Sequence, residues 1–247
     1  MIIFMRLDKL LCEMNIGSRS QVKELIKKGF VCVDDTVIKK PETHVDEKIV
    51  TITCQGKVYR YAPYVYYMMN KPSGVITATY DEKERTVLDV LRSELLKNGG
   101  LTGIPLKDIS PVGRLDKDTV GLLLLTNNGE LSHNLLSPKN HVPKKYFVKT
   151  DGPISDEMVQ ALENGIMIGH GEKTLPAIIE DKNQDQCTIT ITEGKYHQIK
   201  RMFHAVGRNV IYLKRLSMGT LVLDQRLLEG QIRELTKEEV DALCLRT

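Results

Sequence analysis

Residues Val120-Gly-Leu-Leu-Leu-Leu-Thr126 contain four consecutive leucines that must be buried, which predicts a core strand over 120–126. This run and the apolar stretch 62–69 fall far short of the roughly 18 residues needed to span a bilayer. No membrane crossing is therefore expected. The chain has 247 residues, 41% of them hydrophobic and 27% charged. That is enough for about two folded domains and excludes disorder for most of the length. Met1-Ile-Ile-Phe4 is too short for a secretory signal and meets Arg6 and Asp8 at once. Five cysteines, Cys12, Cys32, Cys54, Cys187 and Cys244, form no CxxC pair. Reduced, structural thiols and a cytoplasmic location are the expectation.

Charge is uneven along the chain. Residues 1–60 hold 11 Lys+Arg against 8 Asp+Glu, and residues 61–247 hold 24 of each. The first quarter is where an acidic partner would land first. There Leu7, Leu10, Leu11 and Met14 mark the buried face of a short helix ending at Gly17. Ser18 then caps a second helix that buries Val22, Leu25 and Ile26, sets Arg19, Lys23, Lys27 and Lys28 largely on its other side, and stops at Gly29. A hairpin through Asp34-Asp35 follows.

A boundary is placed between about 55 and 63, giving domains over 5–58 and 63–247. In the second, Thr86, Ser155 and Thr236 cap helices, and strands are expected at 64–69, 120–126, 144–150, 174–180, 187–193 and 210–216. These elements predict an α+β class on a mixed, mainly antiparallel β-sheet.

Two stretches carry candidate chemistry. Gly113-Arg-Leu-Asp116 places a carboxylate and an arginine at the mouth of the leucine strand, where partial desolvation strengthens charge interactions. Spacing alone favours a structural Arg–Asp pair on a loop. From Glu193 to Arg215 the chain holds Lys195, Lys200, Arg201, Arg208, Lys214 and Arg215 against the single acid Glu193. With His197 and Phe203 interleaved, this pattern fits a nucleic-acid surface better than a solvated helix. His197 and His204 lack a carboxylate at helical spacing, so no metal site is expected.

Together these motifs resemble a known family. Gly113-Arg-Leu-Asp-x-x-Thr-x-Gly-Leu-Leu123 is similar to the catalytic signature of a large superfamily of pseudouridine synthases. Asn70-Lys-Pro-Ser-Gly-Val75, Lys145-Tyr146-Phe-Val and Glu193-Gly-Lys-Tyr-His-Gln-Ile-Lys-Arg-Met-Phe203 resemble its other motifs, in the right order. Residues 5 to about 50 resemble the alpha-L RNA-binding motif of a small-subunit ribosomal protein. Tyr196-His-Gln-Ile-Lys-Arg-Met-Phe203 resembles the small-subunit, RsuA-type branch more than its large-subunit relatives.

The resemblance implies an isomerase that converts a uridine of 16S rRNA, at a uridine-516-type site, to pseudouridine. It assigns Asp116 as the essential residue, Lys200 as its cationic partner with Arg201 as the alternative, and Tyr146 as the active-site tyrosine. Arg114, Lys71, Arg201 and His197 would touch substrate, and Arg19, Lys23 and Lys27 would contact RNA from the small module. No redox change occurs, so no cofactor is implied. The implied partner is ribosomal RNA or an assembling small subunit, bound by a monomer. The alternatives are a 23S rRNA synthase of the same family, a non-catalytic RNA-binding assembly factor, and a glycosidase-like hydrolase using Asp116 and Asp118.

Overall fold

The computed structural model describes residues 4–47, 49–97, 108–169 and 171–245. Most of the opening segment read above for an export signal, Met1–Ile3, lies outside them. The chain divides into two compact units: Met1–Val65 with Arg92–Ile109, and Tyr66–Leu91 with Ser110–Thr247.

The first unit begins with β1 (Met5–Arg6), α1 (Leu7–Glu13) and α2 (Arg19–Lys27). Leu7, Leu10, Leu11 and Met14 are fully buried with Val22 and Ile26, as their helical spacing requires. α1 stops short of Gly17, because Asn15 takes a left-handed φ of 52°. The amides of Asn15 and Ile16 then close on the carbonyls of Cys12 and Leu11, each at 3.0 Å, satisfying the helix end. Ser18 caps α2 with Gln21 in a reciprocal capping box.

Next come β2 (Val31–Val33), β3 (Thr36–Val37), β4 (His44–Val45), β5 (Thr51–Cys54) and β6 (Lys57–Arg60). They form a sheet of order β3-β2-β5-β6, with β1 paired to β4. The β2–β3 turn puts Asp34 and Asp35 at positive φ, 45° and 64°, matching the twist of a tight hairpin.

The second unit holds β7 (Tyr66–Lys71), the start of α3 (Val87–Lys97), β8 (Ser110–Pro111), β9 (Val120–Thr126), α4 (Gly129–Leu136) and β10 (Lys144–Thr150). It continues with α5 (Asp156–Glu163), β11 (Ile178–Asn183), β12 (Gln186–Ile191), α6 (Gln198–Ala205), β13 (Val210–Met218), β14 (Leu221–Val222), β15 (Ile232–Glu234) and α7 (Lys237–Cys244). The sheet order is β11-β12-β10-β13-β9-β7-β15. The β13–β9 pair is parallel, and the other pairs in this order are antiparallel. This is the expected α+β class on a mixed sheet.

All seven residues of β9 are buried, as a central strand covered on both faces must be. Leu122 and Leu124 pack with Met68, Leu131, Leu135 and Met218. The strand expected at 174–180 instead begins at Ile178, because Pro176 lacks the amide a ladder needs.

Gly121 fixes how close β9 and β13 can run. At φ 101°, a Cβ here would lie 2.7 Å from the Arg215 backbone nitrogen and closer still to its carbonyl oxygen. At Gly207, also at positive φ, a Cβ would meet open space. Gly121→Ala should therefore cost about 3 kcal/mol or more, and Gly207→Ala about 1–2 kcal/mol. Equal losses for the two variants in chemical denaturation would show that β13 yields to the added methyl.

Candidate active site

Asp116 lies on the loop between β8 and β9, and its backbone is pinned before its side chain does anything. The fully buried Lys71, last residue of β7, sends its ammonium to the carbonyls of Asp116 (3.2 Å), Lys117 (3.3 Å), Thr119 (3.0 Å) and Pro72 (3.1 Å). Thr77 holds Leu115 twice: its hydroxyl donates to the Leu115 carbonyl (2.7 Å) and accepts from the Leu115 amide (3.2 Å). The Gly74 amide donates to the Lys117 carbonyl at 2.8 Å. The loop is thus a fixed mount.

Burial pushes the Lys71 amine down to about 8, against the opposing pull of the Asp118 and Asp116 carboxylates. Lys71 was expected to touch substrate. Its side chain is instead enclosed, because it is taken up by backbone carbonyls, three of them 45 to 48 positions later in the sequence.

The Asp116 carboxylate remains 29% exposed, open enough for a substrate atom to reach. Lys200 Nζ lies 3.2 Å from its Oδ2, and His197 Nε2 3.4 Å from its Oδ1. Lys200 also binds Asp118 Oδ1 at 2.6 Å. Burial would lower the Lys200 amine, but its bond to Asp118 and the charges of both carboxylates raise it on balance. For Asp118, burial pushes the carboxyl up, and the Lys200 bond and charge more than reverse it. One ammonium therefore ties two carboxylates together.

Lys200 and His197 are placed by the start of α6. His197 adopts a left-handed φ of 47° just ahead of the helix. Gln198 locks that turn: its Oε1 accepts from the Lys195 amide (2.9 Å) and its Nε2 donates to Glu193 (2.8 Å). Ile199, Met202 and Phe203 anchor the helix in the core. Phe203 is fully buried, so it does not join the nucleic-acid surface its sequence neighbours suggested.

Arg201 has no free guanidinium to offer. It donates to Ile168 (3.0 Å), Tyr196 (3.0 Å) and Gly169 (3.3 Å) carbonyls and pairs with Glu172 at 2.6 Å. Lys200, not Arg201, is the residue on Asp116.

Tyr146, on β10, is 7% exposed, and its hydroxyl has no hydrogen-bond partner among the described residues. Its cross-strand neighbours are Arg215 and Ile189. Arg215 is fully enclosed: Nε donates to the Leu122 carbonyl at 2.6 Å, and Nη2 has no partner among the described residues. Arg114 is exposed and without a hydrogen bond or ion pair among the described residues. In the first unit, Arg19, Lys23 and Lys27 are exposed along α2. Arg19 and Lys23 line an open groove of about 690 Å³ with Arg6 and Lys9.

Sequence reasoning missed the sharing of Lys200 by Asp118, for which the Asp116-x-Asp118 spacing was the available signal. It also gave no role to Tyr196, whose ring stacks on His197 with centroids 3.8 Å apart.

The RNA pseudouridylate synthase family model matches residues 65–205, and the S4 domain model matches residues 5–48. An uncharacterized RNA pseudouridine synthase, YtzG, of Bacillus subtilis (strain 168) is 48% identical over 243 residues, covering 97% of this chain and 98% of that protein. Ribosomal small subunit pseudouridine synthase A of Vibrio cholerae is 38% identical over 240 residues, covering 97% and 99%. A crystal structure of a pseudouridylate synthase aligns with a TM-score of 0.65 at 32% identity, over 97% of this chain and 99% of that one. Asp116, Lys200, His197 and Tyr146 all fall inside the matched synthase region, and the chain belongs to the RNA pseudouridylate synthase family, with an S4 domain ahead of its synthase domain.

Proposed function

We propose that this protein converts one uridine of 16S rRNA, at a uridine-516-type site, to pseudouridine. The observation that carries the reading is the Lys200–Asp116 pair on the loop held by Lys71. The choice of small-subunit RNA is supported by the 38% identity to the synthase of that name from Vibrio cholerae. In this reading the protein acts as a monomer in the cytoplasm, on rRNA or an assembling small subunit. Residues 5–58 serve as the RNA-binding domain and residues 63–247 as the synthase domain. Among the described residues, no helix is long and apolar enough to cross a membrane.

The reaction breaks the bond between uracil N1 and ribose C1′, turns the base, and joins C1′ to C5. The C5 proton is lost and N1 gains one, so every atom and electron of the product is already in the substrate. On that balance the reading needs no cofactor. Asp116 serves as an ionised carboxylate, and attack on the ribose, attack on the base and removal of a sugar proton all require that state. The Lys200 ammonium stabilises that anion in a partly enclosed site. A uridine in folded RNA reaches Asp116 only after it is unstacked, at a cost of a few kcal/mol. The exposed Arg114 is available to hold the extruded nucleotide or its phosphate. Tyr146 offers a ring for the uracil and, for the C5 proton, a hydroxyl without a partner among the described residues.

Incubation with unmodified 16S and 23S transcripts and ribosomal subunits, with pseudouridine mapped by chemical adduct and primer extension, tests the reading. One new stop in 16S rRNA, absent with Asp116→Asn, is expected. A stop in 23S rRNA instead would overturn the substrate branch, and tight binding with no stop would favour an assembly factor. Lys200→Met should lower turnover about 10²–10³-fold while RNA affinity holds. Full activity in that variant would remove Lys200 from the mechanism.

Lys71 gives a pH signature. With its amine at about 8 in the fold and about 10.4 in the unfolded chain, the folded state holds fewer protons between those values. Over that window this group makes stability rise with pH. Deprotonation removes the charge and one donor from beneath the Asp116 loop. Activity should therefore fall reversibly above about pH 8 without unfolding, and a thermal midpoint that drops in step with activity would refute this origin.

The S4 domain's contribution is electrostatic. Phosphate contacts from α2 position RNA without reading its sequence. Replacing Arg19, Lys23 and Lys27 by Ala together should reduce the slope of log affinity against log salt by about 2–3. An unchanged slope would mean that α2 does not meet phosphate.

A further inference from the structure

Tyr196 is 76% exposed, an unusual placement for a tyrosine beside a carboxylate site. One face of its ring lies against the His197 imidazole, with centroids 3.8 Å apart and planes inclined by 18°. His197 in turn meets Asp116 through Nε2 at 3.4 Å. The two rings are brought side by side by the left-handed turn at His197, a conformation uncommon outside glycine.

That turn is not loose. The Tyr196 carbonyl accepts from Arg201 Nη1 at 3.0 Å, and the Arg201 guanidinium is itself fixed by Glu172 and the Ile168 carbonyl. The Gln198 bonds to Lys195 and Glu193 fasten the other side of the turn. A rigid, exposed aromatic face next to a site for an extruded nucleotide is the chemistry of a base-stacking platform.

We propose that the free face of Tyr196 stacks on the nucleobase next to the target uridine in the RNA chain. The proposal rests on the reading of the site as a uridine isomerase. Extruding a uridine strips its neighbour of a stacking partner, and Tyr196 restores one. The target base belongs at Asp116, with Tyr146 as its ring. Tyr196 is a second ring on the same turn as His197, for a second base. It acts by binding and positioning.

The test uses the full chain and an RNA fragment spanning the modified uridine, with 2-aminopurine in turn at the positions flanking it. Wild type should quench the probe at one flanking position. Tyr196→Ala should lose that quench and raise KM about 10–100-fold with kcat nearly unchanged. Tyr196→Phe should retain both within about 2-fold, a rescue that a hydroxyl-based role would not give. Because the side chain is exposed, both variants keep the fold. Quench and KM unchanged in Tyr196→Ala would overturn the proposal, as would a Tyr196→Phe variant that fails like Tyr196→Ala. Intact quenching by a wild-type protein that forms no pseudouridine would count against the isomerase reading and in favour of the platform.

Discussion

The site depends on a buried ammonium held by carbonyl groups. Lys71 has three donor hydrogens and meets four backbone oxygens, so its bonds to the Asp116 loop are shared among neighbours. Carboxylates would have neutralised the charge; carbonyls only solvate it. The depression of its amine to about 8 leaves Lys71 charged at neutral pH, at the energetic cost that burying a cation carries. In exchange the loop is fixed from inside the protein, and the solvent side of Asp116 stays clear for substrate. A positive charge also remains beneath a site that must receive a polyanion.

Lys200 works differently because its partners are carboxylates. It makes its shorter bond to Asp118 and its longer one to Asp116. Asp118 is largely exposed while Asp116 is not, so the exposed acid holds the ammonium at the shorter distance while the more enclosed carboxylate meets it at the longer one. An anchor of this kind keeps a flexible lysine side chain near Asp116. Arg201, one position along α6, fixes the Tyr196 carbonyl and the 168–172 segment instead. Adjacent cations in the sequence thus take different partners, two carboxylates for Lys200 and backbone carbonyls with Glu172 for Arg201.

Much of this was legible where one local rule dominates. The strands at 120–126 and 144–150 and the capped helices after Ser155 and Thr236 follow directly from apolar pattern and cap residues. The end of α1 was misplaced because the apolar spacing runs on to Met14 while Asn15 already turns left-handed. Side-chain roles were less legible. Whether Lys71 faces substrate or protein depends on carbonyls 45 to 48 positions later. Whether Arg201 is free depends on Glu172, 29 positions earlier. Such partners leave no periodic trace, so pattern alone marked Asp116 and Lys200 as candidates and only the family motifs paired them.

The sheet explains why these motifs are scattered along the chain yet meet. Its parallel β13–β9 pair joins two antiparallel halves, β11-β12-β10-β13 and β9-β7-β15. That seam is short, with Lys214 opposite Val120 and Arg215 opposite Gly121. Asp116 and Lys71 belong to one half; Tyr146, His197 and Lys200 belong to the other. The Lys200–Asp116 pair and the Arg215–Leu122 bond therefore tie across the seam where few ladder bonds exist. Gly121, opposite Lys71 on one side and Arg215 on the other, permits the close approach that both ties require. Parallel strands need a long connection between them, and the chain between β9 and β13 is where Tyr146, His197 and Lys200 are carried. The Lys200–Asp116 pair is thus assembled by the joining of the two halves, and a chain in which the halves failed to join would lack the pair even with each half folded.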